Sequence, residues 1–231
     1  SYLKRVRDWD YPKVLFMIDQ DFCLGYYQPC NDASKKPVML LDKPIREDTK
    51  ILVHRMPWQE HELVYWDSFN ISKKTLELYN ISPIDWYWVS KGQKSYEFKR
   101  KKDEHLYLFS FGNAMYKIYR PFGTEKDKWF SNTTSNTLMG EDNLSWLGEV
   151  LIISKGMKEL CILHELGYNA VSLQGETSYP TKQKVEAFQK RFTKIYTLMD
   201  TDTAGLQASN HLKDKYNMSS IKLPDSQEYK D

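Results

Sequence analysis

A chain of 231 residues suits one large domain or two small ones, and with 41% hydrophobic and 28% charged residues it can build a packed core, which excludes wholesale disorder. The net charge of only +2 excludes binding of nucleic acid through bulk charge, so any such binding rests on local patches. No apolar run reaches the length of a membrane span and no signal-peptide pattern opens the chain, which points to a cytoplasmic protein with no membrane partner. Cys23, Cys30 and Cys161 are odd in number and lack C-x-x-C spacing, which argues against a disulfide framework or a zinc site and for a reducing interior. The sequon Asn132-Thr133-Thr134 has no secretory signal to accompany it and reads as chance. The abrupt ends, at Ser1 and at Lys230-Asp231, are expected to be those of a fragment.

In chain order, the first region, residues 1–145, reads as short strands and loops with few helices, a mixed α+β subdomain that holds most of the aromatic residues. Residues 14–18 form an apolar, β-rich run, and Lys35-Lys36-Pro37 reads as a turn before a strand at 38–41. Residues 51–53 are another strand candidate. Ser72 is placed to cap a short helix through Leu76 and Tyr79. Residues 106–111 and 116–119 flank Gly112-Asn113, a hairpin signature. Residues 124–136 are polar and read as loop. Lys99-Arg100-Lys101-Lys102 is a basic run of the kind that forms a solvated loop. His54, His61, His105 and His164 show no metal-ligand spacing and read as structural or surface residues.

After Leu147 the rhythm changes. An apolar strand at 150–154 leads through Lys155-Gly156 into a helix at 157–166, with Leu160, Ile162, Leu163 and Leu166 for burial and Gly167 as its stop. A strand at 170–173 follows. Thr181 caps a second helix that runs to about Phe192 and aligns Val185, Phe188 and Phe192 on one face. A strand at 195–199, a helix from Ala204 to about Tyr216 and a strand at 220–223 complete the alternation. Such alternation predicts an α/β fold for residues 146–231, a parallel sheet with flanking helices, in which functional side chains gather at the carboxyl ends of the strands.

Asp200-Thr201-Asp202 lies directly after the third of these strands, and Ala204-Gly205 lets the chain enter a helix close against the sheet. On the residues alone the triplet admits two readings. Paired carboxylates at a strand end can converge on one or two hard cations, or one can be an Asx-type helix cap and the other a solvated acid.

The order and spacing of Leu151-Ile152-Ile153-Ser154-Lys155-Gly156, Gly167-Tyr168-Asn169-Ala170-Val171 and Leu198-Met199-Asp200-Thr201-Asp202-Thr203-Ala204-Gly205 resemble the Toprim family of primases, topoisomerases and nucleases. The D-x-D-x-A-G form is similar to that of bacterial and phage primases in particular, and the likeness covers a little over a third of the chain. It implies that Asp200 and Asp202 bind Mg²⁺ or Mn²⁺. One departure matters: where the family carries a Glu after the first strand, this chain has Lys155. A charged amine does not ligate a cation. Either Lys155 meets a phosphate or the pyrophosphate leaving group, or the domain has lost catalysis and only binds. Lys158-Glu159 resembles a Lys-Asp pair of tailed-phage primases, which favours the first reading. Glu176, after the second strand, is placed to supply the missing carboxylate or to pair with Lys155, or is a solvated turn acid; Glu159 has the family's helix acid or solvent as its alternatives. Asp231 resembles an acid that follows the fourth strand in primases.

Upstream, Lys117-Ile118-Tyr119-Arg120-Pro121-Phe122 and Lys128-Trp129-Phe130-Ser131-Asn132 are similar to the primase stretch that lines the nucleotide and template groove. That implies phosphate contacts for Arg120 and Lys128 with help from Lys117, cations for a backbone beside rings for bases. The alternative is a cationic strand edge that deters aggregation. The segment from Tyr65 to Ile84 also resembles a phage-primase segment, with no chemistry attached. The resemblance as a whole implies a DNA primase catalytic core, phage-encoded and acting in the host bacterial cytoplasm. It would make short RNA primers from NTPs on a single-stranded DNA template, with a zinc-binding module and a replicative helicase as partners outside this chain. A catalytically impaired nucleic-acid-binding Toprim protein, or a Toprim nuclease, are the alternatives.

Overall fold

The computed structural model describes residues 49–124, 127–134, 136–175 and 178–222. The expected strands at 14–18 and 38–41, the turn at Lys35-Lys36-Pro37, and Cys23, Cys30, Glu176, Leu223 and Asp231 lie outside these residues.

The first part of the described chain is an antiparallel sheet. Its strands are β1 (Thr49–Arg55), β2 (Ile81–Lys91), β3 (Lys94–Lys99), β4 (Tyr107–Ser110), β5 (Tyr116–Tyr119) and β6 (Trp129–Ser131). They pair in the order β1-β2-β4-β5-β6, with β3 folded back on β2. Two helices, α1 (Glu60–Asp67) and α2 (Lys73–Leu78), cross between β1 and β2. The Ser72 hydroxyl accepts a hydrogen bond from Thr75 N at 3.2 Å, the cap its sequence position predicts. At the β4–β5 turn, Gly112, Asn113 and Ala114 all take positive φ, and Met115 N donates to Gly112 O. Asn132 is buried and braces that turn, its amide donating to Ala114 O and accepting from Tyr116 N. The residue of the sequon is thus a structural one.

Sequence reasoning misplaced three features here. Residues 124–136 are not all loop, because Trp129–Ser131 adds a strand by pairing with β5. The basic run is not simply solvated: Arg100 reaches the buried Glu62 at 2.5 Å, with side-chain exposures of only 7% and 0%. Helix α1 is a further helix, entered where Gln59 N donates to the Glu62 carboxylate, the return half of a capping box.

The second part is a parallel sheet in the order β10-β9-β7-β8. It comprises β7 (Gly148–Ser154), α3 (Met157–Glu165), β8 (Asn169–Ser172), α4 (Lys182–Arg191), β9 (Phe192–Leu198), α5 (Thr203–Tyr216) and β10 (Ser219–Ile221). This is the expected α/β arrangement. β7 is central and apolar because both its faces are covered: Ile152 enters one cluster, while Leu151 and Ile153 enter another with Val185, Phe188 and Phe192. Phe192 is buried as expected, but as the first residue of β9, directly after α4. Leu166 is 65% exposed, against expectation, and the buried face of α3 is Met157, Leu160, Cys161 and Leu163. The reason is the helix end. Gly167 (φ +82°) donates to His164 O and Tyr168 N donates to Leu163 O, a Schellman stop that leaves Leu166 past the last packed turn.

The two sheets share a core. One cluster joins Trp66, Leu76, Tyr107, Phe109 and Tyr119 of the antiparallel part to Met139, Ile152, Met157 and Leu160 of the parallel part. Met139 also bridges to Ser172 at the end of β8. Among the described residues no helix is long and apolar enough to cross a membrane.

Candidate active site

The carboxyl edge of the parallel sheet collects four of the charged residues that the sequence singles out, Asp200, Asp202, Lys155 and Lys117. β9 ends at Leu198, and the chain turns through Asp200 and Asp202 into α5. Asp202 is the N-cap of α5 and accepts from Gly205 N at 2.8 Å. The helix-cap reading of the triplet is therefore realised at Asp202, with its carboxylate exposed at the same time. A Cβ on Gly205 would collide with the backbone of Asp200, so only glycine lets α5 begin this close to the strand end. That contact explains the D-x-D-x-A-G spacing: it folds the helix start against Asp200 and holds both acids at one edge.

Lys155 follows β7, the neighbour of β9. Its backbone N–H donates to Leu198 O at 3.2 Å, and its ammonium pairs with the Asp200 carboxylate. Asp200 is therefore an exposed acid that forms half of an ion pair across two adjacent strands. Ser154, fully buried, fixes the turn by donating to Gly156 O and Val171 O. Glu159 folds back from α3 over Gly156, where any side chain would strike its carboxylate.

Lys117 extends the row. It lies on β5, yet its amine donates at 2.7 Å to the carbonyl of Gln174, just beyond β8. The amine also stands 4.6 Å above the Trp129 ring, which stacks on Tyr119 at 4.1 Å. Burial pulls the Lys117 pKa down to about 8, although the carbonyl and the ring both favour the charged form. The sequence points to Glu176 after the second strand and not to Gln174. The rule that flags Asp200 as a strand-end residue applies to Gln174 equally well.

Arg120 is placed differently. It contacts Glu104 at 2.8 Å and Asp127 at 2.7 Å, and lies 4.2 Å over the Phe98 ring, all within the antiparallel part. Lys128 is half-buried, and its backbone carbonyl accepts from Arg120 N at 2.9 Å. Asp200, Asp202, Lys155 and Lys117 thus share an edge, and none of the described contacts draws Arg120 or Lys128 to it. The histidines do not gather there either. His54 binds Asp85, His164 packs on Tyr79, and His61 and His105 meet at 5.1 Å inside an aromatic cluster with Tyr65 and Phe122.

Asp200 and Asp202 fit a hard cation of the Mg²⁺ class. They offer oxygen donors only, both exposed, and ions of that class take one or two carboxylates and complete their shell with phosphate and water. Among the described residues no group of three or more His, Cys, Asp or Glu side chains forms a ready-made metal cage. The ammonium of Lys155 is the one feature at odds with the fit.

No protein-family model matches the chain, and no curated protein matches it. Solved structures do. The fold is similar to a DnaG primase catalytic domain bound to single-stranded DNA, with TM-score 0.54 and 12% identity over 74% of this chain and 68% of that one. It is similar to a DnaG catalytic core, with TM-score 0.55 and 14% identity over 74% and 67%. It is also similar to the Escherichia coli primase catalytic core, with TM-score 0.50 and 12% identity over 71% and 65%. The architecture, an antiparallel sheet followed by a helix-flanked parallel sheet, is that of a primase catalytic core. At these identities the likeness speaks for the fold.

Proposed function

We propose that the chain is the catalytic core of a DNA primase, which makes short RNA primers on single-stranded DNA by metal-dependent nucleotidyl transfer. The observation that carries the reading is the row Asp202, Asp200, Lys155 and Lys117 along the carboxyl edge of a parallel sheet, in a chain with the primase-core fold. Asp200 and Asp202 would hold Mg²⁺ or Mn²⁺, which when bound neutralises charge on the triphosphate and orients it. Lys155 and Lys117 would donate to phosphate oxygens while the 3′-hydroxyl displaces pyrophosphate from the α-phosphorus. Three of the five Arg120 donors serve Glu104 and Asp127; the other two, with Lys128, would hold a template phosphate. Trp129, stacked on Tyr119 and under the Lys117 amine, would hold that amine at the groove. A zinc-binding module and a replicative helicase would act with this core in a phage-infected bacterial cytoplasm.

One observation favours a second reading. The Lys155 ammonium sits on Asp200, as it would in a domain that binds nucleic acid without turnover. Primer synthesis from labelled NTPs on single-stranded DNA separates the two. The primase reading expects product from the wild type and a loss of about a hundredfold or more in Asp200→Asn. Unextended template from the wild type, with DNA binding intact and a zinc-binding module supplied, supports the binder instead.

A further inference from the structure

The Lys155–Asp200 pair stands where both ligands of the proposed reaction must bind. A divalent cation needs the Asp200 oxygens, and a triphosphate needs the Lys155 ammonium. The two side chains are 30% and 44% exposed. An ion pair so open to water is held weakly and can be exchanged.

Its surroundings leave few other adjustments. Asp202 already accepts from Gly205 N, and Lys117, the next cation along the edge, donates to Gln174 O. The backbone of Asp200 is pinned by its close approach to Gly205. The movable part is the flexible four-carbon stem of Lys155.

Charge bookkeeping then decides what each ligand does alone. A cation that takes Asp200 by itself leaves the displaced ammonium beside the metal and without its counter-ion. A triphosphate that takes Lys155 by itself leaves a bare carboxylate beside its own negative charge. When both arrive, the ammonium moves to phosphate and the cation to the carboxylates, and every charge stays opposed. We infer that the Lys155–Asp200 pair is an exchangeable latch, which makes the divalent cation and the nucleoside triphosphate each promote the binding of the other. The identity of the two ligands rests on the nucleotidyl-transfer reading. The latch gives Lys155 a purpose that neither a lost metal ligand nor a simple phosphate contact supplies: it keeps a lone cation from occupying Asp200. Because the same ion pair must open for either ligand, removing either half of the latch should free the other half's ligand by a similar factor.

The test measures each ligand without the other, in the full chain. Mn²⁺ alone is titrated calorimetrically into wild type and Lys155→Met, which keeps the stem and removes the charge. A nucleoside triphosphate with chelator present is titrated into wild type, Asp200→Asn, Lys155→Met and the double variant. The latch expects Lys155→Met to bind Mn²⁺ about tenfold tighter than wild type, within the usual range of coupling. It expects Asp200→Asn to bind metal-free triphosphate tighter by a similar factor, and the double variant to lose that gain. Absence of either gain overturns it, with thermal unfolding used to confirm that each variant is folded. A chain that shows both gains but makes no primer keeps the latch and loses the primase reading. One that makes primer but shows neither gain loses the latch alone.

Discussion

Lys117 is the residue whose environment is most at odds with its charge. Buried between a carbonyl and a ring, it has a pKa lowered to about 8 from the ordinary lysine value of 10.5. Between those two values the unfolded chain carries a proton on this amine that the folded chain has shed. Stability must therefore rise with pH across that window, and the penalty of burying the ammonium is present in full below about pH 8. The gain amounts to roughly 3 kcal/mol at most. Urea unfolding at pH 7.5 and at pH 9.5 should show wild type gaining on Lys117→Met over that interval; parallel curves would place the amine in water. The residue scale is also where the sequence was most legible and most misleading. Asp200, Asp202 and Lys155 could be placed at strand ends because the strand–helix rhythm around them is regular. That Lys155 holds Asp200, and that Lys117 reaches Gln174, could not be read. Both contacts join residues far apart in the chain through flexible side chains, and no spacing rule encodes them.

At the scale of elements, the parallel half followed its sequence closely. Its central strand β7 is apolar and each helix carries a cap or stop: Thr181 accepts from Lys184 N, and Gly167 ends α3 in the left-handed region. The antiparallel half was less legible for a physical reason. β3 and β6 are short and mostly unburied and exist by pairing with β2 and β5, so they carry little hydrophobic signal of their own. α1 buries a charge, Glu62, beside a single core residue, Trp66. Its Glu62 is fully buried against Arg100, which follows β3. Periodicity does not detect such a helix, because one of its two buried positions is a carboxylate whose partner is an ion 38 residues away. The pair ties α1 to the β2–β3 hairpin, and breaking it strands a buried guanidinium. Glu62→Gln should cost about 3–5 kcal/mol, read as a lower urea midpoint with an unchanged slope. A loss under about 1 kcal/mol would mean that water reaches the pair.

The whole molecule is held by a core that both sheets share. Leu160 of α3 is fully buried in the cluster that also contains Trp66, Tyr107 and Phe109. Residues 1–145 and 146–231 read as separate parts in the sequence, because composition and rhythm change between them and long-range packing is invisible there. The cluster predicts that the two sheets of the described structure respond as one unit. Leu160→Ala should lower stability by about 2–5 kcal/mol. Hydrogen exchange should quicken in β4 and in β7 together; faster exchange confined to β7 and β8 would show two independent units. A shared core also fixes Lys117, carried by β5, against the edge that carries Asp200. A chain that swung one sheet freely on the other could not hold that row.

On the proposed function, the carboxyl edge of the parallel sheet is a metal and triphosphate site. Crystals soaked with Mn²⁺ and a non-hydrolysable nucleoside triphosphate, read by anomalous scattering, address it directly. The account predicts a manganese peak bridging Asp200 and Asp202, with the Lys155 ammonium moved from Asp200 onto a phosphate. No peak at those carboxylates, with Lys155 still paired to Asp200 and triphosphate present, would contradict it.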